Sequence, residues 1–328
     1  MKEQRVTPLT ESGLLAALLV VLGQAAVYLP VLGMVATLCW PLPLIVLVVR
    51  HGVRWGILGL LVAGVVMGLL IEPTLAARMV LAFGPTGLML GLGFRRQWSG
   101  TKVFGAGLAG SIIAKLAALG LLFALTGINP WDTQLSLLRQ SFEESFGLYG
   151  QLGVPEQDIA TSRTQIEAGL QLVSMLLPLV VLVMGLMDTA VSYWLGGRVL
   201  RRLGHKVTAA FPSFRDWRLP RAFALLAGFA LVGLYWGDSR AVGVLYDASL
   251  NVLLVSLLAG LVQGLALLSA IMRHFRLGGF ARTLIYALVL FNGLFLQIVA
   301  LTGLFDMFFD YRRRFHIGAP PAGDGDGK

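Results

Sequence analysis

Charge is scarce in this chain. Only 13% of its 328 residues are Asp, Glu, Lys or Arg, and 57% are hydrophobic. Mean hydropathy is +0.79. Soluble domains carry about 25% charge, so the composition excludes an ordinary soluble fold. Cysteine is almost missing too: Cys39 stands alone, which rules out an intrachain disulfide and a cysteine-rich metal site. Acidic residues are outnumbered by basic ones, 17 against 26. This surplus does not point to nucleic acid, because the Lys and Arg residues cluster in short breaks between apolar runs, as membrane topology requires. Chemical motifs are lacking as well. There is no GK[ST] phosphate loop and no HExxH metal pair, no G-x-S-x-G elbow, and no paired aspartates inside the apolar runs. No enzymatic activity, cofactor or metal is expected. Sustained period-2 alternation is absent, which excludes a transmembrane β-barrel.

What the sequence has in abundance is apolar length. A bilayer core takes about 20 apolar residues per helix, and that window finds runs at 12–29, 31–49, 55–71, 74–93, 103–127, 170–196, 221–236, 247–272 and 281–304. The expected fold is therefore an all-α polytopic transmembrane helical bundle of about nine spans. Gly23-Gln24-Ala25 resembles a signal-peptide cleavage site, but with so many spans following, the first helix is expected to stay as an uncleaved anchor. With the N-terminus inside, one side gathers Lys2, Arg5, Arg50, Arg54, Arg95, Arg96, Lys102, the basic residues from Arg198 to Arg221, and Arg273, Arg276 and Arg282; the other holds Arg139, Arg163 and Arg240. The positive-inside rule then places the N-terminus in the cytoplasm. Nine spans leave Arg312, Arg313 and Arg314 outside, against that rule; a re-entrant final segment satisfies both groups.

Two joints divide the chain. The basic, aromatic stretch 204–220, with Phe211, Phe214 and Trp217 among arginines, suits an anionic cytoplasmic headgroup layer. It separates a six-helix membrane domain at 1–203 from a three-helix segment at 221–315, which a flexible polar tail follows at 316–328. The other joint is the outer segment 128–168. There Asn129 and Pro130 form a helix start, and Leu135, Leu138, Phe142 and Phe146 recur at helical spacing, with Glu143 and Glu144 on the other side. A second helix opens at Pro155 and runs into the sixth span, with a kink at Pro178. The hairpin is expected to lie over the outer mouth of the bundle.

Intramembrane charge is the sharpest functional signal, since one charged residue at a helix centre costs about 2.5 to 3.5 kcal/mol on insertion. Lys115 lies about 20 Å along its helix from Lys102, and Asp188 about 15 Å from Arg198. Gly107, Ser111 and Ala118 share a face with Lys115, while Gly185 and Ser192 share one with Asp188. Either a buried ion pair locks the two helices, or the two residues line a polar pocket or ion path. Glu72 and Arg78, around Pro73, and Trp131 at the hairpin start complete the candidate ligand-binding set. Gln24, Asn251, Asn292 and Gln297 are polar residues that suit interhelical bonds as well as ligands. Near the end, Asp306 and Asp310 share a face, and Asp310 has Arg314 at the favourable i,i+4 spacing. Glycines four apart, as at Gly52 and Gly56, Gly64 and Gly68, Gly87 and Gly91, and Gly260 and Gly264, point to close helix packing.

Several of these features occur together in one known family. Thr10-Glu11-Ser12, Pro41-Leu42-Pro43 leading to Arg50-His51-Gly52, the hairpin with Tyr149 and Gly153, Asn251, Gln263-Gly264, and the ending with Gly303, Asp306 and Asp310-Tyr311-Arg312 resemble the YybS-like bacterial membrane proteins, a family of unknown function. The first six helices are in turn similar to the S components of energy-coupling-factor transporters, which bind a small molecule at their outer face. In that group helix 1 docks on a transmembrane partner through an Ala-x-x-x-Ala stripe; here Ser12 with Ala16 and Gly13 with Ala17 stand in its place. The resemblance implies a bacterial cytoplasmic (inner) membrane location, a small-molecule ligand and a membrane transporter partner, besides the lipid bilayer. Two functions are open: a small-molecule binding or transport-related subunit with an outer-facing pocket under a helical lid, and a non-transporting scaffold that packs through glycine-rich helix faces.

Overall fold

The computed structural model describes residues 8–314 apart from 30, 128, 206 and 208–212. The tail 316–328, together with Lys2, Arg5, Lys206 and Phe211, lies outside the described residues. Among the described residues every regular element is helical. The chain divides into two compact units, Met1–Phe211 and Pro212–Lys328.

In the first unit α1 is Pro8–Tyr28, α2 Leu32–Cys39, α3 Pro41–His51, α4 Val53–Leu70, α5 Pro73–Arg95, α6 Gly100–Thr126, α7 Pro130–Gln151, α8 Glu156–Met175 and α9 Leu177–Arg202. The second apolar run is interrupted at Trp40, because Pro41 and Pro43 remove two backbone donors; α2 and α3 still make one span, Leu32–His51. Trp40 is fully buried, and its indole Nε1 donates to the Leu19 carbonyl at 3.0 Å, fixing this joint to α1. At the far end of α3, Arg95 Nη1 donates to the Val48 carbonyl at 3.1 Å, which also accepts the Gly52 amide, and to the Val49 carbonyl at 3.4 Å, one of the last carbonyls of the helix. Glu11 at the start of α1 meets Arg50 and His51, the latter at 2.8 Å.

The helices are amphipathic in the membrane sense, with small residues inward and large apolar ones outward. On α4, Gly56, Gly59, Ala63 and Met67 are buried, whereas Leu58, Leu61, Val65 and Leu69 are exposed, as lipid-facing positions are. A Cβ on Gly91 would meet Val48 at 2.7 Å, and one on Gly64 would meet Val80 at 3.0 Å. These glycines let α3 and α4 lie close against α5.

In the second unit a short turn at Phe214–Asp216 precedes α10 Ala222–Ser239, α11 Gly243–His274, α12 Gly279–Phe291, α13 Gly293–Phe309 and α14 Tyr311–Arg314. Eight helices, with α2 and α3 joined as one, are long and apolar enough to span a bilayer. The ninth run is bent by 100° between α12 and α13. The bend falls at Asn292, whose backbone is extended and whose side chain accepts from the Leu294 and Phe295 amides at 3.0 and 3.3 Å. Asn292 is thus a helix cap, not a cross-helix bond. The Asn251 side-chain amide donates to the Asp247 carbonyl at 2.8 Å.

The closest helix approach is α11 on α13. A Cβ on Gly303 would overlap the Gly260 carbonyl oxygen, and one on Gly264 would overlap that of Val299. Both obstacles are backbone and cannot rotate away. Gly303→Ala is expected to lower the detergent melting temperature, with an overpacking cost of about 1 to 3 kcal/mol or more. Gly105→Ala, which meets nothing within 4 Å, should leave it unchanged or raise it slightly.

Candidate functional site

Lys115 on α6 and Asp188 on α9 form an ion pair through Nζ and Oδ2, and each side chain is only 11% exposed. The contact exists because small residues bring the two helices together. A Cβ on Gly107 would collide with Leu90 and lie 3.0 Å from Thr189, and one on Gly185 would meet Ile112 at 3.2 Å. Lys115 has two further partners. Its Nζ donates to Ser111 Oγ at 2.8 Å and lies 5.2 Å from the centroid of the Phe83 ring on α5, a cation–π distance. On α5 and α9, the Thr86, Thr189 and Ser192 side chains are fully buried, and their hydroxyl oxygens have no hydrogen-bond partner among the described residues. Buried hydroxyls without partners each cost roughly 1 to 3 kcal/mol. Such a concentration marks α5, α6 and α9 as a polar locus inside an apolar bundle.

The other candidates stand apart from this pair. Glu72 occupies the N-cap position of α5, is exposed, and accepts from Thr74 Oγ1 on the same turn. Arg78 is exposed one turn further on, and no ion pair joins it to Glu72 among the described residues. Trp131 donates its backbone amide to Asn129 Oδ1 at 3.1 Å, completing the expected cap, and its indole Nε1 is buried. No group of three or more His, Cys, Asp or Glu among the described residues is placed to hold a metal ion.

On the hairpin, Phe146 is buried, whereas Leu138 and Phe142 are exposed, which leaves them for the outer membrane interface, the alternative to packing on the bundle mouth. α7 and α8 are joined by charge: Arg163 Nη2 lies 2.6 Å from Glu143 Oε2, Arg139 Nε lies 3.8 Å from Glu167 Oε1, and Arg163 stacks over the Phe146 ring at 5.7 Å. The helix expected to run on from Pro155 and kink at Pro178 is interrupted at the single residue Leu176, with Pro178 in the first turn of α9, where its missing amide costs nothing. At the arginine-rich end of unit 1, Val49, Phe94, Arg95, Gln97, Leu200, His205 and Val207 line a cavity of about 160 Å³.

The second unit contains a cluster whose members the sequence singled out separately without joining them. Asp306 is buried and accepts from Gln263 Nε2 at 2.6 Å and from the Tyr311 amide at 2.9 Å. Gln263 Oε1 accepts from the Leu219 amide at 3.0 Å. The buried guanidinium of Arg312 lies 3.7 Å from Asp306 and donates to the Arg215 carbonyl. Burial lowers the Arg312 pKa from its ordinary value, and Asp306 opposes that fall; arginine keeps its charge in either case. Asp310 does not pair with Arg314. It ends α13 in the left-handed region, at φ 45°, so i,i+4 geometry fails, and it accepts from Arg218 Nη1 at 2.8 Å. A lone Asp306 and a lone Gln263 inside apolar runs were the available signal.

A multispan helical membrane protein with polar groups buried at bilayer depth is the class this architecture defines. The chain belongs to the family described as predicted membrane protein (DUF2232), which matches residues 17–307. It is similar to the uncharacterized protein YybS of Bacillus subtilis (strain 168), at 24% identity over 320 residues, covering 96% of this chain and 99% of that one. No solved structure matches it.

Two stability outcomes follow from the burial. Lys115→Met or Asp188→Met alone should each cost about 3 to 5 kcal/mol by stranding a charge, and the double substitution should cost less than either. A double-mutant cycle on detergent melting temperature measures this; additive effects exclude direct coupling. In the second unit Asp306→Leu should destabilise by a similar amount, about 3 to 5 kcal/mol, because Arg312 is left buried without its counterion. Exposed Arg313→Gln should change the same melting temperature by less than about 0.5 kcal/mol equivalent.

Proposed function

We propose that this protein binds a small polar solute or ion inside the bacterial cytoplasmic membrane as part of a transport process, without catalysing a covalent reaction. The Lys115–Asp188 pair carries this reading. Ionisable residues at membrane depth are costly and mark substrate or ion pathways, and the helices α5 and α9 that flank the pair carry three fully buried hydroxyls with hydrogen-bonding capacity unused among the described residues. A purely locking pair has no need of them. The resemblance to S components adds a membrane transporter subunit as the expected partner. The scaffold reading is weaker, because the Gly87, Gly91, Gly260, Gly264 and Gly303 faces are filled from within the chain.

The orientation proposed is cytoplasmic for the N-terminus, from the distribution of Lys and Arg. Contacts inside the second unit extend this to the C-terminal end: Arg312 meets Arg215, and Asp310 meets Arg218, so Arg312 to Arg314 share a side with the basic start of α10. Eight spans and a bent α12–α13 segment then satisfy the positive-inside rule throughout. In a Cys39→Ser background, Arg314→Cys should react with an impermeant thiol reagent only when the cytoplasmic face is opened. Labelling of intact cells would reverse the assignment.

The function is tested by purification from native membrane and mass spectrometry of co-purifying small molecules. The wild type is expected to retain a solute that the folded Lys115→Met, Asp188→Met double variant lacks. Equal retention by both proteins removes the pair from the binding site.

A further inference from the structure

We infer that the Lys115–Asp188 pair is a proton-exchange site that takes up its proton from the arginine-rich end of the first unit. This rests on the proposed role of the pair in handling a solute or ion, and names the proton as the ion. Three observations carry it.

The first is size. Both side chains of the pair are only 11% exposed, with Phe83 and Ser111 against Lys115, and the described cavity lies at the end of the helices, lined by Phe94, Arg95, Leu200 and His205 among others. A proton fits at the carboxylate without displacing any side chain.

The second is the second set of partners on Lys115. When Asp188 takes up a proton, its carboxylate becomes a carboxylic acid, and the charge of the pair rises by one. Lys115 keeps its own proton. Its ammonium loses its counterion, but Ser111 Oγ at 2.8 Å and the Phe83 ring at 5.2 Å are already in place to hold it. Release of the proton restores the ion pair.

The third is direction. Thr189 and Ser192 follow Asp188 on α9 toward Arg202, and both are fully buried with hydroxyls lacking a partner. A hydroxyl both donates and accepts, which is what a proton relay requires. The same α9 face continues through Gly196 to Leu200, a wall of the cavity that also holds Gln97 and His205. Toward the other end, Val181 and Gly185 follow on α9, and α6 runs apolar from Leu116 to Leu125.

No competing charge complicates the assignment. The ionisable side chains on the packed helices are Cys39 on α2, Arg50 and His51 on α3, Arg78 and Arg95 on α5, Lys102 on α6, and Tyr193, Arg198, Arg201 and Arg202 on α9. None of them forms an ion pair with Lys115 or Asp188 among the described residues, and Tyr193 stacks on Phe94 at a ring distance of 5.4 Å.

The test is infrared difference spectroscopy of the full-length protein in nanodiscs after pH jumps, following the carboxylic acid C=O stretch. A band that rises on acidification, vanishes in Asp188→Asn and moves in Asp188→Glu is expected; the second variant keeps a carboxyl, so the assignment survives if the first fails to fold. Thr189→Val with Ser192→Ala should slow the rise by about tenfold or more. Absence of any Asp188 band across the accessible pH range overturns proton exchange, and an unchanged rate in the hydroxyl variant overturns the route. Displacement of the band by sodium chloride, but not by potassium chloride, makes the ion sodium and overturns the proton assignment. A band with no co-purifying solute leaves proton exchange standing and removes the solute.

Discussion

Hydrocarbon surrounds most of this chain, so apolar side chains gain little by leaving one apolar medium for another. What holds the helices together is backbone proximity: dispersion contact across faces thinned to glycine and alanine. The α11–α13 crossing is the extreme case, where a single methyl group at Gly303 would overlap backbone. The same constraint explains why so many large apolar residues, such as Leu69, Val31 and Phe291, are exposed without forming aggregation-prone patches in the sense that applies in water. It also explains why the polar groups carry so much consequence. Where apolar burial is nearly free of reward, an uncompensated charge or hydroxyl becomes the largest local energy in the bundle.

The two units handle that cost differently. In the second, Asp306, Gln263 and Arg312 are tied to backbone groups at Leu219, Tyr311 and Arg215. These bonds fix a helix end and the stretch of chain before α10, while Arg312 Nε and Nη2 have no hydrogen-bond partner among the described residues. In the first unit no backbone hydrogen bond holds the Lys115–Asp188 pair in this way among the described residues, Ser111 accepts from Lys115, and the Thr189 and Ser192 hydroxyls that follow Asp188 are unspent. A membrane bundle that needed only rigidity would replace such a set by well-packed apolar residues at no loss of stability. The proposal for Lys115 and Asp188 therefore rests on their position along α6 and α9 and on the unpartnered hydroxyls that follow Asp188 on α9, and not on saturation of the second cluster, where Arg312 Nε and Nη2 also have no hydrogen-bond partner among the described residues.

Much of the fold was legible because apolar length and basic breaks are coarse signals. The spans, the caps at Asn129 and Pro155, and the glycine faces of α5 and α11 could all be read from residue type and spacing. The depth match of Lys115 and Asp188 was legible for the same reason: helix rise converts sequence distance into ångströms. What could not be read was direction in three dimensions. The stripe on α7 gives the side on which Leu138 and Phe142 lie, but not that Glu143 and Arg139 would find Arg163 and Glu167 on α8 first. Asp310 was assigned to Arg314 by a spacing rule valid only inside a helix, and the left-handed turn at Asp310 ends the helix there. The Asp306 cluster joins residues 43 to 97 positions apart, a range that periodicity does not reach.

The bend at Asn292 links the last two problems. A straight helix over 281–304 would carry Arg312, Arg313 and Arg314 across the bilayer, away from the basic stretch that precedes α10. Asn292 makes the alternative possible, because its side chain replaces the amide partners that an interrupted helix loses, and a broken helix is tolerable at membrane depth only where such replacement exists. Once α13 is free to turn, Gly303 lets it settle against Gly260, Asp306 meets Gln263, and the helix stops at Asp310 with Arg218 as its counterion. Each step depends on the one before it. Arg312, Arg313 and Arg314, which a straight ninth span leaves on the wrong side, are therefore the end of a chain of contacts that begins with one capping side chain.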